Sequence, residues 1–313
     1  MAANDPMVGS TPRSPVVTSE DADGKGSRWT LEIAQSGRLA ERVFRPGMRG
    51  EIVGITRDRL LIEDGDGHIA VVAGPAFPKA PLTARLSADL PHRSWYWFRL
   101  QAGERVYEAG GALRVGEELA IRFSHAEHWR GPQLQVPLRP GWDAMAEAVL
   151  ALAPDHSICR LLRPWLDGVD VVADGALRDA LTALAGWLKA PRGFPPDAVS
   201  ALIGSGEGLS PAGDDLIAGV LLGLNAHDRR SDAERLAAFA LPLAADRSGP
   251  LSPDLMAAAL EGESFDNLHE VMTVLALPGA PDLTAALAGL AVPDGTSPWD
   301  TFGGVLLVLA ATG

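Results

Sequence analysis

Gly204-Ser-Gly-Glu-Gly-Leu-Ser-Pro-Ala-Gly-Asp-Asp215 runs without a break into Leu216-Ile-Ala-Gly-Val-Leu-Leu-Gly-Leu224. A glycine-rich loop thus opens onto an apolar segment, with two adjacent carboxylates at the junction. Glycine loses more conformational freedom on folding than other residues, so a run of it implies a requirement that other residues cannot meet. Two requirements fit: close approach of the backbone to a ligand, or a tight turn that aims the carboxylates. The segment after the loop reads as a buried helix. Ser210 suits its N-cap and Pro211 its first position, which sets Asp214 and Asp215 at the end of the first turn. Free N–H groups of the helix start and the loop make an anion site there. Two carboxylates beside it repel a bare phosphate; a metal ion, a substrate amide or a protonated carboxyl resolves the conflict. The plainer reading is a helix start whose acids complement the dipole.

The same pattern returns in Gly295-Thr-Ser-Pro-Trp-Asp-Thr-Phe-Gly-Gly-Val-Leu-Leu-Val-Leu309. With Asp300 set on Asp215, Gly304 falls on Gly219, Val305 on Val220, Leu306 on Leu221, Leu307 on Leu222 and Leu309 on Leu224. Ser297 and Pro298 again supply a cap and a first helical position. A glycine one turn after the aspartate lies on the same helix face and lets two backbones approach closely. The repeat predicts two neighbouring core helices with Asp215 and Asp300 at comparable ends.

Outside these segments the chain divides by composition. Residues 1–28 are rich in Pro, Ser, Gly, Asp and Thr without an apolar stretch, and read as a disordered extension. Residues 29–140 carry short Val/Ile/Leu runs between turn signals: Gly50–Ile55, Arg59–Glu63, His68–Val72, Ser94–Leu100, Arg105–Glu108, Leu113–Val115, Glu118–Phe123 and Gln133–Pro137. Asp64-Gly-Asp-Gly67 is a hairpin signal. Residues 141–313 are rich in Ala and Leu at helical spacing, with helices expected at Trp142–Ala153, His156–Leu162, Ala176–Lys189, Gly213–Asn225, Asp232–Phe239, Pro253–Glu261, Phe265–Ala276, Leu283–Leu290 and Pro298–Ala311. Asp232, Ser252-Pro253 and Asp282 serve as opening signals. The fold class is α+β: an antiparallel β barrel or sandwich-like domain, then an all-α domain.

Charge and cysteine content narrow the function. A net charge of −13 with no basic cluster argues against nucleic acid and anionic membranes as partners. The only cysteine, Cys159, sits in an apolar helical context and reads as a packed thiol in a cytoplasmic protein. No apolar run is long enough to span a membrane. His125-Ala-Glu-His128 has the spacing of a metal pair but lacks a readable third ligand. His68, His156, His227 and His269 read as surface histidines, and Trp95–Phe98 as core. Neither a P-loop, a dinucleotide fingerprint nor a nucleophile elbow is present.

The segment Gly204–Gly219 resembles the hallmark of the AllH-type family, Gly-x-Gly-x-Gly-Leu-Thr-Pro-Ser-Gly-Asp-Asp-x-x-x-Gly. Gly204, Gly206, Gly208, Leu209, Pro211, Gly213, Asp214, Asp215 and Gly219 match; Ser210 stands for Thr and Ala212 for Ser. Gly295, Ser297 and Asp300 fit a C-terminal family segment, while Thr296 and Pro298 replace its usual His and Ser. The resemblance implies a subunit of oxamate carbamoyltransferase, which moves a carbamoyl group between oxalurate and phosphate in allantoin breakdown. FdrA-like and AllG-like subunits are the implied partners. On this basis Asp214, Asp215 and Asp300 are the candidate catalytic residues. Gly204, Ser205, Gly206, Gly208, Ser210, Gly213 and Ser297 are the candidate substrate or anion site, and the three acids are a possible Mg²⁺ set. Alternatives are a non-catalytic assembly or regulatory subunit that keeps a ligand loop and, less well supported because no Lys lies near the loop, a phosphotransferase.

Overall fold

The computed structural model describes residues 29–132, 142–169, 174–279, 283–292 and 295–312. The expected extension at 1–28, the strand at Gln133–Pro137, the boundary near residue 140 and the Asp282 cap lie outside them. The first part is a β barrel. Its strands are β1 (Trp29–Gly37), β2 (Arg49–Ile55), β3 (Arg59–Asp64), β4 (Ile69–Ala73), β5 (Thr83–Leu86), β6 (Arg105–Ala109), β7 (Ala112–Val115), β8 (Leu119–Arg122) and β9 (Glu127–Trp129), with a short helix α1 (Arg38–Val43) after β1. The order β5-β4-β3-β2-β6-β7-β8-β1 closes on itself through β1–β5, and β9 extends along the end of β1.

Closure depends on β1. Its first half runs parallel to β8, with Leu31 opposite Ile121, and its second half runs antiparallel to β5, with Ser36 opposite Ala84. Most remaining pairs are antiparallel; β4–β5 and β1–β9 are parallel. Asp64 closes the expected hairpin: its Oδ1 accepts from the Asp66 N–H at 2.9 Å and the His68 N–H at 3.0 Å.

Several expectations fail within the described residues. Ser94–Leu100 is not a strand but carries a 3-10 turn at Trp95–Phe98. Ser94 Oγ accepts from the Tyr96 N–H, a local bond that competes with a sheet ladder. Only Trp95 of that aromatic group is fully buried; Tyr96 and Trp97 are exposed. His269 is not a surface residue but is buried, with Nε2 accepting from the Ser264 N–H at 3.1 Å.

The second part is helical: α2 (Trp142–Leu152), α3 (Ile158–Leu166), α4 (Gly175–Lys189), α5 (Ala212–Ala226), α6 (Arg230–Arg247), α7 (Leu251–Leu260), α8 (Asp266–Ala276), α9 (Leu283–Ala288) and α10 (Ser297–Thr312). α6 runs well past the expected Phe239, through Pro242. α5 and α10 are apolar on every side and buried along nearly their whole length, so they form the centre around which the others pack. Their contact is backbone on backbone. A Cβ on Gly219 would lie 1.7 Å from the Thr301 carbonyl oxygen, and one on Gly304 would lie 2.0 Å from that of Leu216. The predicted glycine-notched helix pair is the core of the domain.

Strand periodicity explains how the halves dock. Along β3 and β4, Leu60, Ile62, Ala70 and Val72 point into the barrel core. The alternate residues Leu61, Ile69, Val71 and Ala73 point outward and cluster with Leu251 at the start of α7. Polar bonds reinforce the seam: the Lys79 N–H donates to Asp266 Oδ1 at 3.0 Å, the Asp266 N–H donates to the Lys79 carbonyl at 2.8 Å, and Arg38 pairs with Glu263 at 3.1 Å.

Candidate functional site

Gly204, Gly206 and Gly208 adopt φ values of 80°, 111° and 104°, a region that side-chain-bearing residues rarely occupy. Their purpose is a loop that folds back onto the start of α5. The Gly204 N–H donates to Asp214 Oδ1 at 2.9 Å, the Ser205 N–H to the Leu202 carbonyl at 3.0 Å, and the Gly213 N–H to the Ser205 carbonyl at 2.9 Å. Gly213 has no room for a side chain, since a Cβ would lie 2.0 Å from the Leu202 carbonyl oxygen. Of the two requirements that the glycines suggested, the tight turn that aims the acids is met. These three amides are therefore spent within the protein. Among the described residues, the N–H groups of Gly206, Glu207, Gly208, Leu209 and Ser210 make no internal hydrogen bond.

Ser210 is not the N-cap; Pro211 holds that position without a side-chain bond. The Ser210 hydroxyl instead donates to Asp215 Oδ1 at 2.6 Å, and the Ser297 hydroxyl lies near enough to Asp215 to favour its charged form. Ser297 is likewise not a cap but the first residue of α10. Serines from the two helix starts thus converge on one carboxyl. Asp214 and Asp215 are both buried, and Oδ2 of each lacks a hydrogen-bond partner in the protein. Burial drives the proton affinity of Asp215 well above the ordinary carboxylate range. The two serine hydroxyls oppose that shift, and repulsion from Asp300 and Asp214 adds to it.

Asp300 is held differently. Oδ1 accepts from the Ser157 hydroxyl at 2.6 Å and the Ile158 N–H at 2.8 Å, and Oδ2 accepts from the Thr296 hydroxyl at 2.6 Å. It ties the start of α10 to the start of α3. Burial raises its proton affinity, with these bonds opposing.

The acids do not assemble into a metal site. Among the described residues, the only trio of ligand atoms close enough to share an ion is Asp64, Asp66 and His68. That trio already faces Arg45, whose Nη1 lies 2.7 Å from Asp64 and Nη2 2.5 Å from Asp66. Asp214, Asp215 and Asp300 do not fit a shared Mg²⁺. His128 pairs with Glu41 at 2.5 Å, without a metal-binding trio around it.

Ser210 and Ser297 also line a chamber of about 50 Å³ between the barrel and the helices. By water-sized volume this is room for a few small groups. Arg59, Phe77 and Thr83 of the barrel face it, with Leu209 and Pro298 on the helical side. The barrel contribution was not readable from the sequence. Arg59 and Thr83 belong to ordinary-looking strand segments, and only the docking of β3 and β5 on the helices brings them here.

Residues 202–309, from just before the glycine loop to nearly the end of α10, match the family model described as oxamate carbamoyltransferase subunit AllH. The resemblance drawn from the loop holds over this segment, which contains both helices and all three acids. The barrel lies outside the match. No curated protein and no solved structure matches the chain.

Proposed function

We propose that the chain serves as a subunit of a carbamoyltransferase complex acting on oxalurate and oxamate, with the small substrate bound in the chamber beside Asp215. The observation that carries this reading is the Asp215 cluster. A buried carboxyl of raised proton affinity is bonded by Ser210 and neighboured by Ser297, two serines that both line the chamber, within the segment that matches the AllH family.

The chemistry follows from that carboxyl. From oxalurate, phosphate oxygen attacks the carbamoyl carbon, and the bond from that carbon to the oxamate nitrogen breaks. The nitrogen leaves with the bonding pair and needs a proton, which protonated Asp215 supplies directly or through Ser210 or Ser297. In reverse, the Asp215 carboxylate takes the proton as the oxamate nitrogen attacks carbamoyl phosphate. A carboxyl whose burial raises its proton affinity suits both directions. The unspent amides of Gly206–Ser210 offer donors to a carboxylate or phosphate. Asp214 positions the loop through Gly204, and Asp300 positions α10 against α3. Subunits of the FdrA and AllG types are the proposed partners.

The test is Asp215→Asn in the complex reconstituted with those subunits. Turnover should fall by about 10²–10⁴-fold with folding and assembly intact, the usual contribution of a positioned acid–base group. Undiminished turnover removes Asp215 from the mechanism and leaves the assembly-subunit reading.

A further inference from the structure

The chamber beside Asp215 has a larger neighbour. A cavity of about 620 Å³ opens on the barrel, lined by Arg57 and Asp58 at the start of the β3 hairpin, Gly74–Phe77 after β4, and Asp89, Leu90 and Arg93. Its size suits a small-molecule site. Phe77 belongs to the walls of both cavities. Asp58 lines the outer cavity and the adjacent Arg59 lines the inner chamber, so consecutive residues border the two.

Phe77 is held in place from two sides. The Arg59 guanidinium lies 5.7 Å from its ring centroid, and Arg85 Nη1 donates to its carbonyl at 3.1 Å. The outer cavity is charged. Asp58 accepts from Arg59 Nε at 3.3 Å through Oδ1 while its buried Oδ2 has no partner, and Asp89 pairs with Arg93 at 3.2 Å. Arg57, on the same wall, makes no side-chain hydrogen bond or ion pair among the described residues, which leaves its guanidinium open to a ligand. His92 and Arg93 occupy successive left-handed conformations, with φ of 52° and 51°. Strain of this kind persists where surrounding structure demands it and clusters at binding sites.

We propose that the outer cavity is a vestibule that gathers a small carboxylate- or phosphate-bearing anion, and that Phe77 is the partition between it and the inner chamber. The proposal rests on the preceding functional reading, because the inner chamber is where that reading puts the substrate. In a chain of net charge −13, an arginine on the cavity wall without an ion-pair partner gives an anion a contact against the overall field.

Access can be read without turnover. Thr83 lines the chamber and is buried, and the native thiol Cys159 is buried in the helical core. The full-length chain carrying Thr83→Cys is reacted with sulfonatoethyl and trimethylammonioethyl methanethiosulfonate, with the unsubstituted chain as background. The anionic reagent should react faster, by about tenfold at low salt, and Arg57→Glu should abolish that preference. Phe77→Ala should accelerate both reagents and Phe77→Trp should slow both, so the pair remains informative if one variant folds poorly. Inorganic phosphate or oxamate, added separately, should protect the thiol, and the better protector identifies the anion class. Equal rates for the two reagents, a preference that survives Arg57→Glu, indifference to both Phe77 variants, or protection by neither anion overturns the proposal. Asp215→Asn should leave labelling unchanged. Intact labelling with undiminished turnover in that variant therefore sinks the catalytic reading alone.

Discussion

Asp215 and Asp300 each stand one helical turn before a glycine at which α5 and α10 touch backbone to backbone, yet their carboxyls are held in opposite ways. Asp300 has both oxygens engaged by Ser157, Ile158 and Thr296, whereas Asp215 Oδ2 has no partner in the protein. The look-alike helix starts have diverged into one acid that fastens helices and one that retains bonding capacity.

Removing the Asp300 carboxyl should therefore cost stability. Asp300→Ala orphans the buried Ser157 hydroxyl and Ile158 N–H, and should destabilise by about 3 kcal/mol. Asp300→Asn keeps one acceptor and should cost less. Denaturant unfolding of the two variants measures the difference; equal, negligible effects would show that α3 needs no such tie.

Asp215 should behave in the reverse sense. A folded-state carboxyl of raised proton affinity retains a proton that the unfolded chain releases once pH exceeds the ordinary 3.8. Stability is then lost as pH climbs from that value through the folded one. Asp215→Asn should be more stable than the native chain at neutral pH, by about 1–3 kcal/mol, and the gap should close on acidification. Unfolding curves collected from acid to neutral pH check the trend, and a gap constant with pH contradicts it.

His269 imposes the opposite slope. Burial lowers its pKa from 6.5 to about 4. Below 6.5 the unfolded chain takes up a proton that the folded chain refuses, so stability falls as pH drops through that window, by up to about 3 kcal/mol. His269→Gln, which keeps an acceptor for the Ser264 N–H, should flatten this part of the stability profile. An unaltered profile would place the acid sensitivity elsewhere.

Glycine substitutions separate packing from propensity. Gly219→Ala and Gly304→Ala drive a methyl group into carbonyl oxygens across the α5–α10 contact and should cost about 3 kcal/mol or more. Gly186→Ala on α4, where a Cβ meets nothing within 4 Å, should stabilise by about 0.5–1 kcal/mol. Melting temperatures of the three variants provide the comparison.

The helix pair was legible because its information is local: an aspartate, a glycine one turn later and an apolar run mean the same wherever the chain places them. The barrel strands were legible where Val and Ile alternate between turns, but β1, β5 and β9 were missed, since their pairing depends on distant partners. Ser94–Leu100 misled because aromatic density resembles a strand while Ser94 captures the backbone locally. Ser210 and Ser297 were singled out as substrate or anion contacts, with each also serving as a helix cap. The structure bonds Ser210 to Asp215 and brings Ser297 near it, a convergence that only the crossing of α5 and α10 creates. Arg59, Phe77 and Thr83 carried no motif at all, because what they face is decided by how one half of the molecule lies against the other.

That seam has an evolutionary corollary. The serines beside Asp215 and the side chains that share their chamber from β3, β5 and the loop after β4 are encoded in separate stretches of the gene, one inside the family match and one outside it. Selection can therefore reshape what reaches the acid by altering the barrel while leaving the helices that present it untouched.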